Sequence, residues 1–321
     1  MSDAALDLAI PPGIPSDGRG AVVTVGSFDG VHLGHRAVLD EIRARADATG
    51  ARAVLLTFEP HPLRIVRPEF APAILTTTRE KAEILAQSGL DFAVFLRFSR
   101  ELAEYSPRRF VEEILIGRLG VTELVIGHNH TFGRDRSGDA ATLQQIGREL
   151  GFVVDLIEPV RTGDSPISST RIREAVQSGA LDEARRALGR PYSFLGRVVR
   201  GEGRGSGLGF PTANLLIDTP EKLLPPPGIY AVWGNLRSGV FPGALHIGPR
   251  PTFPGSPPSV ELYLIDFAGD LYGEELRVDL VRHLRGVEHF DSAELLIAQM
   301  NRDVVEASAV LREDRARDSL H

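Results

Sequence analysis

The sequence contains no cysteine and only two lysines among its 321 residues, and each shortage excludes a class of site. Without cysteine the chain has no disulfide, thiolate zinc site, iron–sulfur cluster or cysteine nucleophile. Neither Lys81 nor Lys222 follows a glycine or precedes a serine or threonine, so the phosphate-binding P-loop is absent. Of the 36 basic residues the other 34 are arginines. Any ATP site in this chain therefore needs a different design.

Long apolar runs and concentrated positive charge are also missing. No apolar run reaches about 18 residues, the length that a membrane-spanning helix needs. Residues 1–19 form a tail rich in Asp, Pro and Gly, without the basic start and apolar core of a secretion signal. The net charge of −7 is spread over both halves, so neither half has the basic surface typical of nucleic-acid binding. We expect a soluble cytoplasmic protein with no membrane or nucleic-acid partner.

Residues 20–188 alternate short apolar runs with amphipathic stretches, which predicts an α/β domain with a doubly wound parallel sheet. The apolar runs lack polar alternation, as in strands buried on both faces. The predicted strands are 21–25, 53–58, 92–96, 123–126 and 152–157. The predicted helices are 36–48, 78–87, 107–119 and 140–150. Ligands of such a sheet bind beyond the carboxyl ends of its strands.

The pattern changes near residues 188–191, and residues 189–321 are dense in Pro and Gly. Alternating runs separated by long loops predict a small antiparallel β-barrel. These runs are 194–200, 229–236, 260–267 and 276–283. The apolar spacing over residues 292–311 predicts a terminal helix that plugs or flanks the barrel.

The first predicted strand runs into GSFDGVHLGH at residues 26–35, a turn punctuated by glycine that opens a helix. Backbone amides at a helix N-terminus attract phosphate, and His32 and His35 can donate further hydrogen bonds to it. Taken alone, the pair fits two ordinary loop histidines as well as it fits a nucleotide site.

A second motif, ISSTRIR at residues 167–173, follows the fifth predicted strand and opens another helix. Its serine and threonine residues supply hydroxyls and helix-capping groups, and Arg173 lies one turn further on. A Ser/Thr cap or a single arginine is usually structural. The combination of HxGH after the first strand and SSTxxR after the fifth is much more specific for nucleotide binding than either motif alone.

The barrel region carries GEGRGSGLGFPTANL at residues 201–215, where a glycine-rich loop precedes PTAN. Thr212 and Asn214 are two residues apart, so they lie on the same side of an extended chain. A hydroxyl and an amide oxygen beside such a loop predict a Mg²⁺ pair. Glu261 begins a later strand, and its carboxylate can accept a proton during phosphoryl transfer. Taken alone, Glu261 fits an ordinary exposed strand residue.

Together these motifs resemble the prokaryotic bifunctional riboflavin kinase/FMN adenylyltransferase family, also called FAD synthetase, over about residues 20–307. TFEPHP, GHNHTFG, LPPPGIYAV, RPTF and DLYGEELRV add to the similarity. The resemblance implies that the barrel phosphorylates riboflavin to FMN. It implies that the α/β nucleotidyltransferase domain then joins FMN to AMP, which makes FAD and releases pyrophosphate. ATP is the implied co-substrate and Mg²⁺ the implied cofactor.

The resemblance also implies roles for individual residues. In the adenylyltransferase domain, His32 and His35 are catalytic and contact phosphates. The residues that bind ATP and its phosphates there are Gly26, Phe28, Gly34, Ser168, Ser169, Thr170 and Arg173. Asn129 and Pro60 belong to the flavin-nucleotide pocket. In the kinase domain, Glu261 is the base, and Thr212 and Asn214 hold the metal. The kinase ATP loop contains Gly201, Gly203, Gly205, Gly207 and Pro211.

Three histidines depart from the family pattern and leave alternatives open. His128 and His130 are unusual in GHNHTFG, and the family usually has Asn where His246 stands. One of the two domains could therefore be impaired, and a flavin-binding regulatory protein is a further alternative. Transfer of AMP to nicotinamide mononucleotide or phosphopantetheine is disfavoured, since those enzymes need no barrel. We expect a monomer or a weak homo-oligomer.

Overall fold

The structure is a computed structural model, described over residues 17–127, 139–158, 160–162, 165–201, 209–249 and 258–318. The chain divides into two compact units, Met1–Ser169 and Thr170–His321. The domain boundary expected near residue 189 stays a prediction, and two helices occupy the interval between these positions.

The first unit is built on five parallel strands. They are β1 (Ala21–Val25), β2 (Arg52–Glu59), β3 (Phe92–Arg97), β4 (Val121–Gly127) and β5 (Val153–Ile157). The helices are α1 (Leu33–Thr49), α2 (Pro62–Val66), α3 (Thr78–Leu85), α4 (Arg100–Ala103), α5 (Pro107–Phe110) and α6 (Ala140–Leu150). A 3₁₀ turn follows α2 at Pro68–Phe70, and a π-helical turn follows α5 at Val111–Ile116. A ribbon of β6 (Arg161–Thr162) and β7 (Ser165–Pro166) completes the unit.

The sheet has the strand order β3-β2-β1-β4-β5 and carries helices on both faces. Successive side chains of a buried strand point to opposite faces. Val22 of β1 accordingly joins a core with Leu39 of α1, whereas Val23 joins a core with Ile114 and Leu143 on the other face. The predicted doubly wound sheet is confirmed. The single helix predicted over 107–119 is instead α5 and the π-helical turn.

The second unit contains two helices, six barrel strands and a long terminal helix. Helix α7 (Ser169–Gln177) begins at the last residue of the first unit, and α8 (Leu181–Leu188) follows it. The strands are β8 (Tyr192–Val199), β9 (Ala213–Leu216), β10 (Gly228–Leu236), β11 (Gly239–Gly248), β12 (Ser259–Leu264) and β13 (Glu275–Arg285). Helix α9 spans Ala293–Asp318.

The six strands close into an antiparallel barrel with the order β10-β11-β12-β9-β8-β13, and α9 packs against β10, β11 and β13. The predicted barrel and terminal helix are confirmed. The sequence pattern did not reveal β9 and β11, because Pro and Gly are depleted in strands and β11 contains Pro242 and Gly243. A Cβ at Gly243 would lie 2.8 Å from the carbonyl oxygen of Tyr263 on β12, so close strand approach requires glycine there.

None of the helices in the described ranges has the length and apolar composition needed to cross a lipid bilayer.

Candidate active sites

The first candidate site lies where β1 ends, in the centre of the sheet. β1 pairs with β2 on one side and with β4 on the other, so the strand order reverses here. Crevices at such a reversal, beyond the carboxyl ends of parallel strands, bind nucleotides in doubly wound folds. The glycine-punctuated turn over residues 26–35 occupies this position and leads into α1.

His32 is the N-cap residue of α1, and its ring is nearly buried with 5% of the residue exposed. The ring nitrogen Nδ1 accepts a hydrogen bond from the backbone N–H of His35 at 3.2 Å. Because Nδ1 is an acceptor, the neutral ring carries its hydrogen on Nε2. The ring of His35 stacks on that of His32 at a centroid distance of 3.6 Å. The helix start therefore holds both imidazoles in one defined arrangement.

Two glycines of this turn have side-chain rings packed closely against their Cα atoms. A Cβ at Gly34 would lie 3.1 Å from Nδ1 of His32, and one at Gly26 would lie 3.0 Å from Cε2 of Phe28. Phe28 itself has a φ of 46°, and its ring lies 4.5 Å from that of His35. The structure thus packs Gly26, Phe28, Gly34 and both histidines into one turn.

Asp29 anchors the same turn, although no role was predicted for it. Its buried carboxylate accepts hydrogen bonds from the backbone N–H groups of Leu75 and Thr76, each at 3.0 Å. The hydroxyl of Thr76 in turn accepts from the N–H of Gly30 at 3.0 Å. The only sequence signal for Asp29 was that it is an acidic residue within a glycine-rich turn. Its partners Leu75 and Thr76 could not be identified from sequence, because they lie 46 and 47 residues away.

Lys81 also supports this turn, although no role for it was predicted. Its Nζ donates to the carbonyl oxygen of Ser27 at 2.7 Å, and Oγ1 of Thr57 donates to the same oxygen at 3.0 Å. Burial lowers the pKa of Lys81, while the nearby charges of Asp29 and Glu59 act in the opposite direction. The TFEPHP segment is thereby tied to the histidine turn through Thr57.

The start of the ISSTRIR segment lies against the histidine turn. The hydroxyl of Ser169 donates to the carbonyl oxygen of Asp29 at 2.9 Å. The carbonyl oxygen of Ile167 lies 3.8 Å from where a Cβ of Gly34 would stand. Since α7 begins at Ser169, Ser168 immediately precedes the helix. Two sequence motifs that are more than 130 residues apart therefore meet within the first unit.

The remaining predicted residues of this site have separate positions. Thr170 and Arg173 follow on α7 and fall in the second unit. Pro60 follows β2, and its peptide bond with Glu59 is cis. Asn129, His128 and His130 lie outside the described residues.

The second candidate site lies on neighbouring strands of the barrel. Oγ1 of Thr212 donates to Oε2 of Glu261 at 3.2 Å. Asn214 of β9 is directly opposite Glu261 of β12 in the antiparallel register, and directly opposed residues share one face of a sheet. The structure therefore brings together the three residues that the sequence analysis selected for phosphoryl transfer.

The start of the glycine-rich loop contacts this group. A Cβ at Gly201 would lie 2.1 Å from Nδ2 of Asn214, so only glycine leaves room for the amide. Exposed Pro211 leads into Thr212, whereas Gly203, Gly205 and Gly207 lie outside the described residues. A hydroxyl and an amide oxygen beside a carboxylate are hard oxygen donors, which fit a Mg²⁺ ion shared with substrate phosphates.

Two further residues are neighbours of Glu261. Oγ of Ser259 donates to Oε1 of Glu261 at 2.8 Å, a contact that the sequence analysis missed. His246 is opposite Glu261 on β11, and its Nε2 lies 3.1 Å from the carbonyl oxygen of Pro249. The signal for Ser259 was its position two residues before Glu261, which places both side chains on one face of a strand.

Known proteins match both units. The family model for FAD synthetase matches residues 14–171, and that for riboflavin kinase matches residues 188–311. The chain is 39% identical over 293 residues to a bifunctional riboflavin kinase/FMN adenylyltransferase of Pseudomonas fluorescens, covering 91% of this chain and 93% of that protein. It is 38% identical over 290 residues to the protein of the same name from Escherichia coli K12, covering 90% and 92%.

A solved structure also matches over most of the length. It is titled a macrolide-efflux protein from Streptococcus pneumoniae, with 29% identity and a TM-score of 0.80, covering 92% of this chain and 94% of that one. That similarity extends over both the α/β sheet and the barrel.

Proposed function

Since the chain belongs to the family of bifunctional riboflavin kinase/FMN adenylyltransferases, we propose that it catalyses two successive ATP-dependent reactions. The barrel converts riboflavin and ATP to FMN and ADP. The α/β unit converts FMN and ATP to FAD and pyrophosphate. Two activities are supported over a single one because the structure contains both residue sets. These are the stacked histidines of the α/β unit and the Thr212–Glu261 pair of the barrel.

In the kinase reaction Glu261 is the general base. Its carboxylate takes the proton of the riboflavin 5′-hydroxyl as that oxygen bonds to the γ-phosphorus of ATP. The bond from the γ-phosphorus to the β,γ-bridging oxygen breaks, and ADP leaves. Thr212 and Asn214 would hold Mg²⁺, which when bound would neutralise negative charge on the phosphates. The glycine-rich loop that begins at Gly201 is assigned to the phosphates by the resemblance to the family.

In the adenylylation reaction the FMN phosphate is already an anionic nucleophile, so little acid–base help is needed. One of its oxygens bonds to the α-phosphorus of ATP, the bond to the bridging oxygen breaks, and pyrophosphate leaves. The task of the protein is to align the groups and stabilise negative charge. Nε2–H of His32, the ring of His35 and the first amides of α1 provide donors for this charge. The hydroxyl of Ser168 adds a donor for the triphosphate, whereas the hydroxyl of Ser169 already donates to the carbonyl oxygen of Asp29.

The finer properties are proposals as well. We assign Mg²⁺ as the metal of both reactions and ATP, riboflavin, FMN and FAD as the ligands. Nucleic acid is not a partner in this proposal. We assign a cytoplasmic location, because both reactions consume ATP, and a monomer or weak homo-oligomer as the working form.

One assay tests the proposal. The purified chain is incubated with riboflavin, ATP and Mg²⁺, the flavins are separated by chromatography, and ADP and pyrophosphate are measured independently. We expect FMN and ADP first, followed by FAD and pyrophosphate, and no product when a chelator removes Mg²⁺. Accumulation of FMN alone would refute the adenylyltransferase assignment, and flavin binding without either product would favour a regulatory protein.

A further inference from the structure

We propose that Ser259 is a positioning residue for the kinase reaction, which orients the carboxylate of Glu261 toward the riboflavin hydroxyl. The inference rests on the proposed function, in which Glu261 is the base. Neither the motif pattern nor the proposed mechanism uses Ser259.

The hydrogen bonds to Glu261 carry the inference. Each carboxylate oxygen accepts from a different hydroxyl: Oε1 from Ser259 at 2.8 Å and Oε2 from Thr212 at 3.2 Å. The shorter bond is that of Ser259. Hydroxyl bonds to an ionised carboxylate are stronger than those between neutral groups. The carboxylate is thus held at both oxygens.

The glutamate side chain cannot set this orientation by itself. The last torsion of Glu joins an sp³ carbon to an sp² carbon, and its energy profile is broad instead of three-welled. The plane of the carboxylate is therefore decided by its hydrogen-bond partners. Since Thr212 is also assigned to the metal, Ser259 is the partner whose hydroxyl is dedicated to the carboxylate.

The strand pairing leaves the hydroxyl of Ser259 directed at this partner. Ser259 and Glu261 are two apart on β12 and share one face. The residue opposite Ser259 on β11 is Gly248, which offers no side chain for a competing hydrogen bond. A Cβ at Gly248 would lie 2.7 Å from Cβ of Pro227, so this position requires glycine. The local register therefore favours the Ser259–Glu261 bond.

The test measures ADP release, which reports the kinase step alone, for Ser259→Ala and Ser259→Thr in the full chain. We expect Ser259→Ala to lower kcat about ten-fold, the scale of one lost hydrogen bond to a charged group, with KM for riboflavin and MgATP within about two-fold of wild type. Ser259→Thr keeps the hydroxyl and should restore kcat. The exposed Ser238→Ala serves as the matched control. Pyrophosphate release from supplied FMN should stay unchanged in all variants.

Three outcomes would overturn the inference. Unchanged kcat in Ser259→Ala, failure of Ser259→Thr to restore it, or an increase in KM at constant kcat would each show that Ser259 does not orient the base. Glu261→Gln separates this failure from that of the proposed function. If Glu261→Gln loses ADP release while Ser259→Ala is normal, only the inference fails. If Glu261→Gln is fully active, Glu261 is not the base, and the proposed function of this site fails together with the inference.

Discussion

The ring of His35 lies on the ring of His32, with centroids 3.6 Å apart and planes 14° from parallel. The N–H of His35 also donates to Nδ1 of His32. The two histidines are therefore coupled both through their rings and through the helix cap. Loss of either side chain should therefore change the position of the other, so the effect of a substitution at one histidine includes an effect on its neighbour.

Replacing the histidine pair should separate the two activities. We expect the double variant His32→Ala/His35→Ala to lose at least about 100-fold in pyrophosphate release from FMN and ATP, the scale of lost charge stabilisation in a transition state. ADP release with riboflavin should persist. The exposed His289→Ala is the control, with both products retained. Full pyrophosphate release by the double variant would contradict the assignment.

Gly34→Ala should impair adenylylation without removing any functional group. The added methyl would lie 3.1 Å from Nδ1 and 3.2 Å from Cε1 of His32, so the ring must shift. We expect pyrophosphate release to fall about ten-fold or more, since small displacements of positioning groups are costly, while ADP release is unchanged. Gly286→Ala, where nothing lies within 4 Å, is the matched control. Equal activity of the two variants would refute the packing argument.

Thr212→Val should reduce the kinase reaction and its use of Mg²⁺. Valine has a similar shape but lacks the oxygen that donates to Glu261 and is assigned to the metal. We expect ADP release to fall about 100-fold at saturating ATP, with a higher Mg²⁺ concentration at half-maximal rate. Thr212→Ser keeps the oxygen and should recover most of the rate. A variant with unchanged Mg²⁺ dependence would argue against Thr212 as a ligand.

Neither lysine should react with amine reagents in the folded chain. Both residues are only 5% exposed, and Nζ of Lys81 and of Lys222 donates to a backbone carbonyl at 2.7 Å. Lys222 also lies 4.7 Å from the ring centre of Tyr192. We expect labelling, followed by mass spectrometry, to be at least about 50-fold slower than in urea-unfolded chain, because it requires local opening. Rapid labelling of either native lysine would contradict their buried positions.

Ionisation of the buried Tyr230 should lower the stability of the barrel at alkaline pH. Its side chain has no exposed surface, and burial raises its pKa to about 12. An unfolded tyrosine ionises near pH 10, so from about pH 10 to 12 the folded state holds more protons and stability falls as pH rises. The loss should reach roughly 2–3 kcal/mol.

The measurement is urea unfolding at pH 9 and pH 11, followed through the single tryptophan, Trp233, which lies in β10. Tyr230→Phe cannot ionise, so its stability should fall less between the two pH values than that of wild type. The exposed Tyr272→Phe is the control and should behave as wild type. Identical pH dependence in Tyr230→Phe and wild type would show that this tyrosine is not the cause.

The sequence by itself determined the doubly wound sheet and the barrel as fold classes, because buried strands and amphipathic helices have local signatures, but it did not reveal strands β9 and β11. It also pointed to Thr212 and Asn214 through their spacing beside a glycine-rich loop, whereas the role of Glu261 came only from the resemblance to the family. The sequence showed that lysine is scarce, but it could not show that both lysines are buried and donate hydrogen bonds to backbone carbonyl oxygens.

Only the tertiary structure decided which distant groups meet. The contacts of Asp29 with Thr76, Lys81 with Ser27, and Thr212 with Glu261 span 47, 54 and 49 residues. Such contacts depend on how strands pair and how loops cross the edge of a sheet, and no local propensity records that pairing. The bond from Ser259 to Glu261 spans two residues, yet it too depends on the register that places glycine opposite the serine.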